Sequence, residues 1–145
     1  MSTIVPDSHP RKISLERRYK LEAAAEEGLL AGTAMIAHGR GEAFDYLLGE
    51  QTIPIANDAT TQAAILLKSA VRPIISVNGN TTILAGDELV SCAALLSCPI
   101  EVNIYYRTDE RISGLIGHLE NCKKRVAATP PNNWTRSVEE WSSTV

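Results

Sequence analysis

Apolar residues recur at two periods along this chain, and the alternation between them lays out its elements. From Ser14 to Leu30 the apolar positions Leu15, Tyr19 and Leu21 to Leu29 have helical spacing, with Ser14 able to cap the start and Gly28 and Gly32 bracketing the end. Thr33 to Ala37 is a short apolar segment running into His38-Gly39-Arg40-Gly41-Glu42. A second helix is expected to start there and to carry Ala43, Phe44, Tyr46, Leu47 and Leu48 until Gly49 stops it. After Pro54 an amphipathic pattern places Ala59, Ala63, Leu66, Leu67 and Ala70 on one face, with Asn57 or Asp58 as cap. Pro73 ends that helix, and Ile74-Ile75-Ser76-Val77 reads as a buried strand closing in the turn-forming run Asn78-Gly79-Asn80-Thr81. A helix from Gly86 to Ser97 has Asp87 and Glu88 in its first turn, where the macrodipole favours them. Past Pro99, Ile100 to Tyr106 is a second strand, and a helix from Thr108 carries Ile112, Leu115, Ile116 and Leu119. Strand, helix, strand, helix at these lengths is a βαβ unit, so the expected class is α/β with parallel strands behind an N-terminal helical segment. Two strands are few for a free-standing sheet.

Composition narrows the core. At 145 residues the chain suits one domain, and with four Tyr, two Trp and one Phe its interior must be built from Ala, Leu, Ile and Val. Fourteen basic against 17 acidic residues give a net charge of −3, which argues against a nucleic-acid partner. No apolar run approaches the roughly 20 residues of a bilayer span, and MSTIVPDSHPRK lacks an apolar signal core, so neither a membrane partner nor export is expected and the location is cytoplasmic. Cys92, Cys98 and Cys122 are odd in number and form no CxxC pair; they read as small buried hydrophobes. After Cys122 the basic run Lys123-Lys124-Arg125 reads as a solvated helix end. The Pro-, Asn- and Trp-bearing residues 126–145 lack periodicity and read as a tail to a domain spanning 1–125.

Two runs could carry chemistry. In Ala37 to Glu50 the glycines beside Arg40 allow a close backbone approach, and their N–H groups at a helix start would suit an anion, as would the guanidinium fork of Arg40. The run is neither a P-loop nor a dinucleotide fingerprint, and a plain glycine turn with an exposed arginine fits it too. Ile75 to Thr81 is a strand opening at its carboxyl end into Asn-Gly-Asn-Thr, the place where an open α/β sheet puts its ligand crevice. Asn-Gly is equally an ordinary turn pair, with Gly79 free to take positive φ. Glu42 and Asp45, three apart, could hold Mg²⁺, or could respectively cap the helix and face solvent.

Taken together these runs resemble the archaeal phosphopantothenate synthetase family, the 4-phosphopantoate–β-alanine ligases of coenzyme A biosynthesis. The matching blocks are Ser8-His9-Pro10-Arg11, Leu15 with Arg18, AHGRGEAFDYLLGE at 37–50, SVNGNT at 76–81 and EVNIYYRTDER at 101–111, and the likeness covers residues 4 to about 122. The resemblance implies a homodimeric, Rossmann-like parallel sheet flanked by helices. It also implies a ligase that uses ATP and Mg²⁺ to convert the 4-phosphopantoate carboxylate to an acyl-adenylate, releasing pyrophosphate, before β-alanine displaces AMP. On that resemblance Arg18, Arg40, His38, Gly39 and Gly41 are expected at ATP, and Ser76, Asn78, Gly79, Asn80 and Arg107 at the crevice; no catalytic residue and no protein ligand to a metal is assigned. Arg18 taken alone reads as a solvated helix charge, and His38 as a histidine holding the glycine turn. Family members are longer, so the chain is expected to correspond to their N-terminal portion, incomplete as a fold and weak or inactive as a ligase. The alternative is a truncated, non-catalytic nucleotide- or phosphopantoate-binding or dimerisation module.

Overall fold

The computed structural model describes residues 5–128. Five helices and two strands follow in the order α1 (Lys12–Glu26), α2 (Thr33–Leu47), α3 (Pro54–Ser69), β1 (Ile75–Val77), α4 (Gly79–Leu96), β2 (Ile100–Val102) and α5 (Asp109–Ala128). The strands are parallel, with Ile75, Ser76 and Val77 opposite Ile100, Glu101 and Val102, so β1-α4-β2 is the expected crossover unit. The class is therefore α/β, in a mostly helical form with a two-stranded sheet.

Local chemistry explains most element ends. Gly28 (φ 79°) and Gly49 (φ 77°) follow α1 and α2 in the left-handed region, where a side chain would be strained. Bonds from Leu29 N to Ala24 O and from Glu50 N to Asp45 O close both helices in Schellman fashion. Pro54 stands in the first turn of α3, where its missing N–H costs nothing.

Five boundaries differ from the sequence expectation. Helix α2 begins at Thr33 rather than near residue 40, so Gly39, Arg40 and Gly41 lie in a helix interior and not at its start. Asn78 to Thr81 is no free turn: Asn78 caps α4, accepting from Thr81 N at 2.9 Å, and Gly79 is the first helical residue without positive φ. The expected helix start near Gly86 survives as a kink, since Ala85 leaves helical geometry (φ −134°, ψ 26°) and two helical pieces join there. Strand β2 stops at Val102 because β1 offers only three partners; after the bond from Asn103 N to Val77 O (2.8 Å) the ladder ends. Helix α5 runs beyond residue 125, with Val126 buried; residues 129–145, which hold both tryptophans of the expected tail, lie outside the described residues.

The core is aliphatic, as composition requires. Val77, Val90, Ala93, Ala94, Cys98, Ile100, Leu119, Cys122 and Val126 fill the space between the sheet, α4 and α5. Leu21, Ala24 and Leu30 form a second cluster under α1. Gly86 allows close packing of α4 on α5, because a Cβ there would meet Cys122 Sγ at 2.6 Å. Cys98 and Cys122 are buried as expected, whereas Cys92 is exposed on the outer side of α4. Helix α3 departs most from its pattern. It forms where predicted but buries none of its residues, leaving Ile55, Ile65 and Leu66 more than half exposed.

Candidate functional site

A crevice of about 220 Å³ opens at the carboxyl end of β1 and β2. Its floor is the first turn of α4 (Asn78, Gly79, Asn80), and α2 gives one wall through Thr33, Ala34 and Ala37. Leu29 and Leu30 close the back, while Ile104, Tyr105, Tyr106 and Arg111 form the side beyond β2. This is the position that an open parallel sheet leaves for a ligand.

The floor is built by side chains that serve the backbone. Asn78 Oδ1 accepts from both the backbone N–H and the hydroxyl of Thr81, and Asn80 Nδ2 donates to Ala34 O at 2.9 Å, tying α4 to α2. Gly79 is demanded by packing, since a Cβ there would lie 2.6 Å from a methyl of buried Leu30. Among the described residues nothing accepts from the N–H groups of Gly79 and Asn80. Two donors at the start of α4, ahead of its kink at Ala85, therefore border the crevice unclaimed.

The expected site residues divide. Asn78, Gly79 and Asn80 line the crevice; Ser76 and Arg107 are exposed and do not. Arg111, four residues beyond Arg107, lines it instead. Its Nη1 donates to Tyr106 O, and its Nε is buried with no partner. The sequence does carry a signal for it: Arg111 stands in the first turn of α5 beside Asp109 and Glu110, where the macrodipole disfavours a cation.

The other group, on α1 and α2, flanks the crevice. Arg40 lies one turn beyond Ala37 on the face that Thr33, Ala34 and Ala37 present, is exposed, and pairs with nothing among the described residues. His38 is half-buried with an unpartnered Nε2. Arg18, half-buried on α1, donates its Nε to Glu22 at 2.9 Å. Gly39 and Gly41 have open space where a Cβ would stand, so packing among the described residues does not require glycine there.

Glu42 serves as a brace between α1 and α2. One carboxylate oxygen accepts from the Ser14 hydroxyl, from Arg11 at 2.7 Å and from the Tyr46 hydroxyl at 3.0 Å. The Ser14 bond, then those from Arg11 and Tyr46, hold its carboxyl down to about 2. Among the described residues no three His, Cys, Asp or Glu side chains gather to hold a metal ion, and the Glu42 carboxylate is taken up by the α1–α2 brace. A second cleft, between α1, the kink of α4 and α5, has its Asp87 and Arg125 paired at 2.8 Å, and burial pushes the Cys122 thiol on its wall up to about 11. No helix among the described residues is long and apolar enough to cross a membrane.

Comparison with known proteins places this chain in a family. Residues 55–143 match the family model for phosphopantothenate/pantothenate synthetase, a span reaching well into the 126–145 segment that sequence reading sets apart. The chain belongs to that family. It is 47% identical over 117 residues to a 4-phosphopantoate–β-alanine ligase of Methanospirillum hungatei, covering 81% of this chain and 48% of the relative. Against the ligase of that name from Thermococcus onnurineus it is 44% identical over 115 residues, 79% of this chain and 44% of the relative. The protein so named from Methanosarcina mazei is 42% identical over 118 residues, 81% of this chain and 47% of the relative. The chain thus spans about half the length of the curated relatives it matches.

Proposed function

We propose that this chain carries substrate-binding machinery of a 4-phosphopantoate–β-alanine ligase. In that reaction ATP and 4-phosphopantoate give an acyl-adenylate and pyrophosphate, and β-alanine displaces AMP to form 4′-phosphopantothenate for coenzyme A. The observation that carries the reading is the crevice itself: unclaimed N–H donors of α4 and the unpartnered Nε of Arg111, in a chain more than 40% identical to ligases of that name.

The chemistry asks for donors more than for acids and bases. A carboxylate attacking a nucleotide's α-phosphorus needs no proton removed, but it brings a phosphorylated acid against a triphosphate, and that charge must be neutralised. Helix N–H groups and guanidinium forks do this at fixed positions. The crevice fits the demand, with donors on its floor and side and no carboxylate, imidazole or thiol among its lining. On this reading Arg40, with Arg18, His38, Gly39 and Gly41, meets the ATP phosphates beyond the crevice mouth, and Ser76, Asn78, Gly79, Asn80 and Arg107 form or border the acid side. Mg²⁺ would arrive with the nucleotide, bound chiefly by phosphate oxygens and water.

The same reading carries a Rossmann-like extension of the two-stranded sheet, a cytoplasmic setting and a homodimer. The uncovered apolar residues of α2 and α3, Phe44, Leu47, Ile55 and Leu66 among them, supply a surface for pairing. A second reading, ligand binding without turnover, rests on the same donors, which would hold an anion whether or not it reacts. AMP release decides between them. Turnover predicts AMP that requires both 4-phosphopantoate and β-alanine and that falls by at least tenfold in Arg40→Ala. AMP no higher than in that variant defeats the catalytic form, and ligand-induced thermal stabilisation without AMP establishes the binding form.

A further inference from the structure

We propose that Arg111 anchors the phosphate group of the acid substrate, together with the free N–H donors that begin α4. The inference rests on the ligase reading for the identity of the acid, and on the crevice alone for the anchor.

Three observations converge on this residue. Arg111 lies in the first turn of α5, where its charge opposes the helix dipole, and it takes part in no ion pair among the described residues. Its Nε is buried without a partner among the described residues, an arrangement that costs free energy and that an oxyanion would relieve. It shares the crevice with Gly79 and Asn80, whose N–H groups are also unclaimed. A guanidinium fork facing a helix N-terminus is an arrangement suited to phosphate oxygens.

Volume and lining choose the acid over the nucleotide. At about 220 Å³ the crevice falls below the roughly 300 Å³ at which pockets for whole drug-sized ligands begin. A phosphate with a few branched carbons fits it. The aliphatic walls at Leu29, Leu30, Ala34 and Ile104 suit a branched aliphatic acid, while nucleotide phosphates remain outside, toward Arg40.

The test is calorimetric titration of the full chain with 4-phosphopantoate, pantoate and ATP, for wild type, Arg111→Gln and Arg111→Lys. Loss of one charge-assisted donor set is expected to weaken 4-phosphopantoate by roughly tenfold to a hundredfold in Arg111→Gln, with Arg111→Lys recovering part of it. Pantoate, which lacks the phosphate, and ATP should change by less than about twofold on the same scale. Because the guanidinium is poorly satisfied in the free protein, the ligand-free Tm should stay within about 3 °C of wild type. Equal 4-phosphopantoate binding in wild type and Arg111→Gln overturns the proposal, as does a parallel loss for ATP or pantoate. An Arg111→Gln chain that fails to fold also overturns it, since Arg111 would then be structural. If wild type binds neither 4-phosphopantoate nor ATP, the ligase reading falls, and inorganic phosphate becomes the probe. Phosphate binding by wild type that Arg111→Gln abolishes still supports the anchor, and no phosphate binding by either overturns it.

Discussion

Replacing Gly39 and Gly41 together with alanine separates the helical structure of residues 33–47 from the glycine turn that the sequence alone invites. In α2 both glycines are interior, neither has positive φ, and a Cβ at either meets nothing within 4 Å. Glycine in a helix interior costs about 0.5–1 kcal/mol relative to alanine, through backbone entropy that alanine does not lose. The double variant should therefore be more stable than wild type by about 1–2 kcal/mol, which for a domain of this size raises Tm by roughly 3–10 °C. Urea denaturation followed by circular dichroism measures the gain, with the slope unchanged if only the native helix is affected. On the ligase reading the same variant loses activity, because two methyl groups now stand where a ligand approaches the helix beside Arg40. The reasoning is refuted if stability falls. A loss of 1 kcal/mol or more would mean that the glycines hold a backbone shape alanine resists, as a turn at 38–42 would require.

Glu42→Gln should lower stability at pH 7 by about 1–2 kcal/mol, discounted for the exposure of Arg11. With the folded carboxyl at about 2 and the reference near 4.5, the carboxylate's contribution is complete above about 4.5 and is lost as pH falls toward 2. Thermal melts of both proteins should therefore converge between pH 5 and 2, and a gap that persists at pH 2 contradicts the ionic brace. Asn78→Ala removes the cap of α4 and should cost about 1 kcal/mol by chemical denaturation, with Asn78→Asp recovering most of it; no loss would mean that Asn78 is not the cap.

Periodicity located the helices, the two strands and their parallel crossover, because helical and extended spacings are local properties and the glycines and prolines at 28, 49, 54 and 73 punctuate them. What it misjudged depends on partners distant in sequence. Gly39 and Gly41 look like a helix start only to a local reading; the helix propagates through them from Thr33, and Glu42 ties it to Ser14 and Arg11. Amphipathicity gave α3 correctly and its burial incorrectly, since a periodic face states what a helix can cover and not whether anything covers it. At the site the sequence singled out the Asn-Gly-Asn floor and Arg107, and passed over Arg111, which lines the crevice where Arg107 does not. The choice hung on where β2 ends: a strand reaching Tyr106 would put Arg107 at the sheet's edge, whereas a strand ending at Val102 leaves room for Arg111 to turn back along the crevice.

The costs in this fold also have a location. Native chains satisfy nearly all buried polar atoms and keep glycine out of helix interiors unless something compensates. Here the two buried side-chain nitrogens without partners, among the described residues, are His38 Nε2 and Arg111 Nε. Three helix-interior glycines have no steric reason, Gly39, Gly41 and Gly117; the first two flank the exposed and unpaired Arg40, and the helix donors at Gly79 and Asn80 are unclaimed among the described residues. Random imperfection would scatter such features over the molecule. Gly117 apart, these features fall on α2, the first turn of α4 and the first turn of α5, three elements that contribute to one crevice. The guanidinium and helix N–H groups among them are donors, and an anionic ligand would offset them together.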